Sequence, residues 1–186
     1  TAHNNTENIA IMNNTENATT RFSITHQHTE GISLGSRNER VAANLNSSLK
    51  LGKRNTLDLM VNYTYQNIHN RPYSVDRMIN NFAGMIGRFD NGEWYLNKYQ
   101  TSKGYRFVTG GGQSLTPDEN ISYGNYRGDI LDFVWRVKRN QLDEYSNRLI
   151  SSITDNWEIA KNLKLRARVS TDYTGANAVT QNATEK

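Results

Sequence analysis

The chain has 186 residues, 35% of them hydrophobic, with a mean hydropathy of -0.79 and a formal net charge of +4. That length suits one ordinary domain, but so polar a composition does not easily fill a conventional core. Two readings remain: partial disorder around a small β core, or a barrel wall whose inner face meets water and whose loops are long and polar. Lys and Arg are spread along the chain rather than clustered, which argues against a nucleic-acid footprint. No apolar run approaches the ~20 residues of a transmembrane helix. The absence of cysteine excludes disulfides and thiolate metal sites and leaves the compartment open. The chain opens Thr1-Ala2-His3, with no signal peptide, and the expectation is a piece of a longer protein.

At the N-terminus, Asn4-Asn5-Thr6-Glu7-Asn8 recurs as Asn13-Asn14-Thr15-Glu16-Asn17, with Ile9-Ala10-Ile11-Met12 between the copies. Either this is a hairpin turning at Asn13-Asn14, since Asn tolerates the positive φ of tight turns, or it is a chance recurrence in an Asn-rich loop. A first strand follows over residues 18–28, with Phe22 and Ile24 on one face and Arg21, Ser23, Thr25 and Gln27 on the other. Thr29-Glu30-Gly31 opens a loop to about Arg37.

Strands over 38–51 and 55–67 form the clearest hairpin. Val41, Ala43, Leu45, Leu49 and Leu51 alternate with Ala42, Asn44, Asn46, Ser48 and Lys50. Leu57, Leu59, Val61, Tyr63 and Tyr65 alternate with Thr56, Asp58, Met60, Asn62 and Thr64, and Gly52–Asn55 makes the turn. A period of two places successive side chains on opposite faces. Each arm exceeds the usual ~5–6 residues of a soluble strand and matches the ~9–11 that a tilted strand needs to cross a bilayer.

Residues 68–143 read as one large insertion. Ser74 is a candidate N-cap, with Val75, Met78, Ile79 and Phe82 at helical spacing. Asp90-Asn91-Gly92 is a turn signal between Met85-Ile86 and Trp94-Tyr95-Leu96, suggesting a small hairpin. Gly110-Gly111-Gly112 begins a flexible loop; it lacks the Lys-Ser/Thr of a phosphate-binding loop.

Two more strands follow, over 145–159 and 163–174. In the second, Leu163, Leu165, Ala167, Val169, Thr171 and Tyr173 alternate with Lys164, Arg166, Arg168, Ser170, Asp172 and Thr174. The tail from Gly175 reads as a further loop. Turns at Gly52–Asn55 and Ala160–Asn162 are short, whereas the connections 29–37 and 68–143 are long. Such sorting by side is typical of an outer-membrane barrel, with short periplasmic turns and long extracellular loops. The fold class is therefore all-β: an antiparallel segment of a large transmembrane β-barrel with a long extracellular loop containing a short helix.

Asn17 to Ile24, then Thr29-Glu30-Gly31-Ile32, then Ser36-Arg37-Asn38-Glu39-Arg40 resemble the first barrel strands of SusC/RagA-type TonB-linked outer-membrane proteins of Bacteroidetes. Asp132-Phe133-Val134-Trp135-Arg136-Val137 partly resembles the family's Asn-Pro-Tyr-Trp segment, departing from it at three of its four residues. Tyr145-Ser146-Asn147-Arg148-Leu149, then Trp157 and Leu163-Lys164-Leu165, resemble the next strand pair. The resemblance runs from about Asn14 to Tyr173. It implies the part of the barrel just after the plug domain, in a protein with about 22 strands. It further implies location in the outer membrane, contact with its lipid, and TonB-dependent uptake of oligosaccharides or peptides. The implied partners are a SusD-like surface lipoprotein and, through parts of the protein outside this chain, the TonB complex. A TonB-dependent siderophore or vitamin receptor and a soluble β-rich binding module or adhesin are the alternatives.

No catalytic motif is present, and neither an enzyme activity nor a cofactor is expected. His26 and His28 share a strand face, but no third ligand at matching spacing accompanies them, and they read as polar strand-end residues rather than a metal pair. The insertion's aromatics, Phe89, Trp94, Tyr95, Tyr99, Tyr105, Phe107, Tyr123 and Tyr126, have three readings. They pack a small core of the loop's own, or meet a lid lipoprotein, or contact substrate; from Trp94 onward they are the candidate partner or substrate residues. Trp135 is expected at a strand end near the membrane interface, and Arg166 and Arg168 as solvated charges facing the lumen.

Overall fold

The computed structural model describes residues 2–71, 91–107 and 125–183. The expected helix from Ser74 to Phe82, Phe89, the Gly110–Gly112 loop and Tyr123 lie outside the described residues. The chain divides into two compact units: one holds residues 1–31, 37–69 and 143–178, the other 32–36, 70–142 and 179–186.

The first unit is a six-stranded antiparallel sheet in which every strand pairs with its sequence neighbour. The strands are β1 (His3–Asn14), β2 (Ala18–Glu30), β3 (Arg37–Lys50), β4 (Asn55–His69), β5 (Gln141–Ala160) and β6 (Leu163–Gln181). They are 12, 13, 14, 15, 20 and 19 residues long. The fold is all-β, as the alternation implies.

Three differences from the sequence reading have local causes. The N-terminal repeat is a full strand, and its turn lies at Thr15–Asn17 rather than Asn13-Asn14. Asn13 and Asn14 stay in the ladder opposite Thr20 and Thr19. Thr15 closes the turn, its amide donating to the Ala18 carbonyl at 2.7 Å and its hydroxyl accepting from the Ala18 amide at 3.0 Å. At the other end, Gly175 does not begin a loop, because β6 runs on to Gln181. It does so beside a β5 that starts at Gln141, four residues before Tyr145, and so offers a longer neighbouring strand.

Registry sorts the side chains into two faces, since paired residues of neighbouring strands point the same way. Ile11, Phe22, Leu45 and Val61 form one continuous row across β1–β4, and Ile9, Ile24, Ala43, Tyr63 and Leu149 the next. The opposite face carries Met12, Arg21, Asn46, Met60 and Ser152 in register. The described residues of this unit form one layer, and much of the apolar face is open: Ile9 is 73% exposed, Ile153 52% and Val169 77%. The polar face is the concave one. Met12 on β1 and Arg166 on β6 line a common depression there, although they stand on opposite edge strands.

The second unit holds the buried apolar cluster. Helix α1 (Gly92–Asn97) is capped by Asn91, whose Oδ1 accepts from the Glu93 amide at 3.0 Å. Thus Asn91-Gly92 starts a helix, and Trp94-Tyr95-Leu96 is not a hairpin arm: an Asn in extended backbone satisfies a free amide of a first helical turn. Helix α2 (Asn125–Arg139) supplies Ile130, Leu131 and Val134, which bury against Tyr95 with Leu96, Tyr99, Phe107 and Phe133 around them. Trp135 is accordingly not at a strand end. It lies on α2, 3% exposed, one helical turn after Leu131, and a 3.6-residue period puts both on the buried stripe.

Candidate functional site

Among the candidate aromatics, the structure brings Tyr95, Tyr99 and Phe107 together in the core of the helical unit. Tyr95 is 4% exposed, whereas Trp94, its neighbour on α1, is 36% exposed and stands edge-on to the Tyr95 ring at 5.0 Å. Lys138 reaches from α2 over the Tyr99 ring, 4.3 Å from its centre, and donates to the Leu96 carbonyl at 2.6 Å. Tyr105 is half-buried, its amide donating to the Thr101 hydroxyl at 3.1 Å. Tyr126 falls in the first turn of α2, and Tyr123 lies outside the described residues. Of the candidates whose surroundings are described, Trp94 offers the most open ring.

Charge ties this unit together. Asp132 on α2 accepts a hydrogen bond from Arg136 Nε at 2.8 Å on Oδ2 and forms an ion pair, without hydrogen-bond geometry, with Arg106 Nε 2.9 Å from Oδ1. Arg139 donates to the Gly104 carbonyl at 3.0 Å. Gly104 sits at φ +81, where a side chain is strained, and a Cβ there would stand 3.3 Å from the Arg139 guanidinium. At the base of the connection, Asn70 adopts φ 46; its amide donates to the Leu142 carbonyl and its Oδ1 accepts from the Leu142 amide, both at 2.8 Å. This reciprocal clasp closes the two ends of the large insertion.

On the sheet, all four histidines fall at the long-connection end of the apolar face. His3, Glu30, Arg37, His69 and Asp143 are one register row, and Asn5, His28, Glu39, Asn67 and Tyr145 the next. His26 pairs across to Glu7 and Val41 one step nearer the strand centres. His28 contacts Glu39 at 3.4 Å and Glu30 at 3.6 Å, and His69 meets Asp143 at 2.7 Å. No cluster of three or more metal-ligating side chains occurs among the described residues. The row is a polar rim bounding the apolar face.

The polar face carries a feature that the sequence reading missed. Arg166 and Arg168, read as solvated charges, share a depression with Arg21, Asp58, Ser152 and Thr154. Alternation along each strand gave their face, but strand order and curvature were needed to bring β2 and β6 to one pocket. Among the described residues no helix is long and apolar enough to cross a membrane.

Comparison with known proteins yields no matching family model and no matching curated protein.

Proposed function

We propose that this chain is part of the wall and extracellular vestibule of a TonB-dependent nutrient importer of the SusC type in an outer membrane. On this reading it serves uptake of oligosaccharides or peptides together with a SusD-like surface lipoprotein. The observation that carries the reading is the single-layer meander with two unlike faces. The outward rows Ile9–Leu149 and Ile11–Val61 are apolar and largely open, and the concave rows are polar. In water such a face is unfavourable by about 25 cal/mol for each Å² left exposed. Against lipid tails the penalty disappears. A soluble sandwich covers one face of each sheet with a second layer, and the described residues of this unit contain none.

Loop asymmetry adds support. Turns β1–β2, β3–β4 and β5–β6 lie at one end and are short, while β2–β3 and β4–β5 are connected at the other, the latter through a helical unit. In membrane barrels the short-turn end faces the periplasm, which makes the histidine rim and the helical unit extracellular. The work of such a segment is gating and containment rather than bond chemistry. Substrate held under the lid passes when TonB pulls on a plug that lies outside this chain.

The chain has no cysteine, so a single substitution supplies the one thiol of this segment, and the unsubstituted protein gives the labelling background. In the protein labelled in native membranes, Val169→Cys and Ile153→Cys are expected to resist a water-soluble maleimide and to be quenched by brominated lipid. Ser170→Cys and Asn44→Cys are expected to show the reverse. Equal aqueous reactivity at all four positions, from a protein that is monodisperse without detergent and melts in one cooperative step, establishes the soluble β-rich module or adhesin instead. Purification from its own cells separates the remaining alternative: a siderophore or vitamin receptor brings down no SusD-like lipoprotein.

A further inference from the structure

Near the short turns the concave face holds a pocket of about 450 Å³ lined by Arg21 of β2 and by Arg166 and Arg168 of β6. Its floor sets two buried hydroxyl residues, Ser152 6% and Thr154 5% exposed, beside Met60, which stands between Asn46 and Ser152 in register. The carboxylate in the lining is Asp58, and both of its oxygens are occupied. Ser48 Oγ donates to Oδ1 at 2.7 Å, and Asn156 Nδ2 donates to Oδ2 at 2.8 Å. None of the three arginines forms an ion pair with a described residue. Arg168 donates to the Ser152 hydroxyl at 3.3 Å, a long contact, and Arg21 and Arg166 hydrogen-bond to no described residue.

Three guanidinium groups against one satisfied carboxylate leave the lining with a surplus of donors and of positive charge. The planar fork of each guanidinium matches the paired oxygens of a carboxylate or sulfate. Arg21 is separated from the other two by three intervening strands at about 4.8 Å per step. Four strand steps make about 19 Å between the backbones, so two separated anionic groups match the two sides with less inward reach of the side chains than a single oxyanion requires. We propose that this pocket binds an acidic ligand that carries at least two carboxylate or sulfate groups, one held by Arg21 and another by the Arg166–Arg168 pair. Ser152, Thr19, Thr154 and Asn46 in the lining suit the hydroxyls of a polyhydroxylated ligand between its acidic ends, and Met12 and Met60 suit its C–H faces. The inference concerns one face of the sheet and does not depend on the importer reading.

The test is calorimetric titration of the intact protein with trigalacturonate, a soluble trimer with three carboxylates, and with maltotriose, a neutral trimer of the same length. Trigalacturonate is expected to bind, more weakly as salt is raised, and maltotriose not to bind. Arg21→Gln and Arg166→Gln each lower the affinity by roughly 10-fold or more, the usual scale for losing hydrogen bonds to a charged group. Arg21→Lys, which keeps the charge, recovers part of the loss. Arg40→Gln, on the same face but outside the pocket, leaves it unchanged. Unfolding curves of each variant separate lost binding from lost folding. Absence of trigalacturonate binding, equal binding of maltotriose, or an equal loss in Arg40→Gln overturns the proposal. The cysteine-labelling pattern is unaffected by any of these results, so the two readings fail separately.

Discussion

Individual residues hold the helical unit more by specific contacts than by bulk. Leu131 is 1% exposed at the centre of a cluster with Tyr95, Ile130 and Val134. Leu131→Ala is expected to cost about 2–5 kcal/mol, the range for truncating a buried leucine. Hydrogen exchange checks this: amides of α2 should lose protection while those of β3 and β4 keep theirs, because the apolar cluster is internal to the helical unit. Asp132 is partly solvated, so its two arginine contacts are worth less than their geometry suggests. Asp132→Asn is expected to shift the same amides by less than Leu131→Ala does. Gly104 differs in kind, since any side chain at φ +81 carries backbone strain of about 1–2 kcal/mol. Gly104→Ala should lower stability in a denaturant titration, through that strain and through crowding of the Arg139 guanidinium 3.3 Å from the new Cβ.

Elements are decided by periodicity and by their ends. In β6 the odd positions Leu163, Leu165 and Val169 are open and apolar, while even positions carry Lys164, Arg166, Arg168 and Asp172. Arg148 of β5 holds Asp172 through two nitrogens, at 3.0 and 2.7 Å, which ties the last two strands together near the middle of β6. Under the proposed reading, Val169→Arg places a charge against lipid. It should destabilise the protein reconstituted in vesicles by roughly 2–4 kcal/mol if the site is near the bilayer midplane. On a soluble protein the same change at a position 77% exposed is nearly neutral, so a urea titration of the variant distinguishes the two environments. Ser170→Arg, one residue along and on the concave face, should be tolerated in either.

At the scale of the whole molecule, the sheet has two edge strands, β1 and β6, and an apolar face that no second layer covers among the described residues. Unpaired edges and open apolar rows both drive association in water. The 186-residue chain by itself is expected to self-associate in detergent-free buffer, and detergent micelles should suppress this, with light scattering as the measure. A monodisperse chain in plain buffer sinks the expectation.

The two faces of β3, β4 and β6 could be read from residue order alone, because a period of two is a property of extended backbone and needs no partner. So could the short turns, and with them the all-β class. The same logic failed where a local signal had two solutions. Asp90-Asn91-Gly92 suits a turn or a helix cap, and only burial of Tyr95 against Leu131 and Val134 chose the cap. Trp135 looked like an interfacial anchor, yet packing placed it inside a helix stripe. The N-terminal strand was ambiguous because Asn-rich sequence has weak strand preference; pairing with β2 along its whole length decided it. The arginine pocket lay furthest from sequence. Arg21 and Arg166 are 145 positions apart, and the pocket between them exists only because six strands pair in order and the sheet curves toward its polar side.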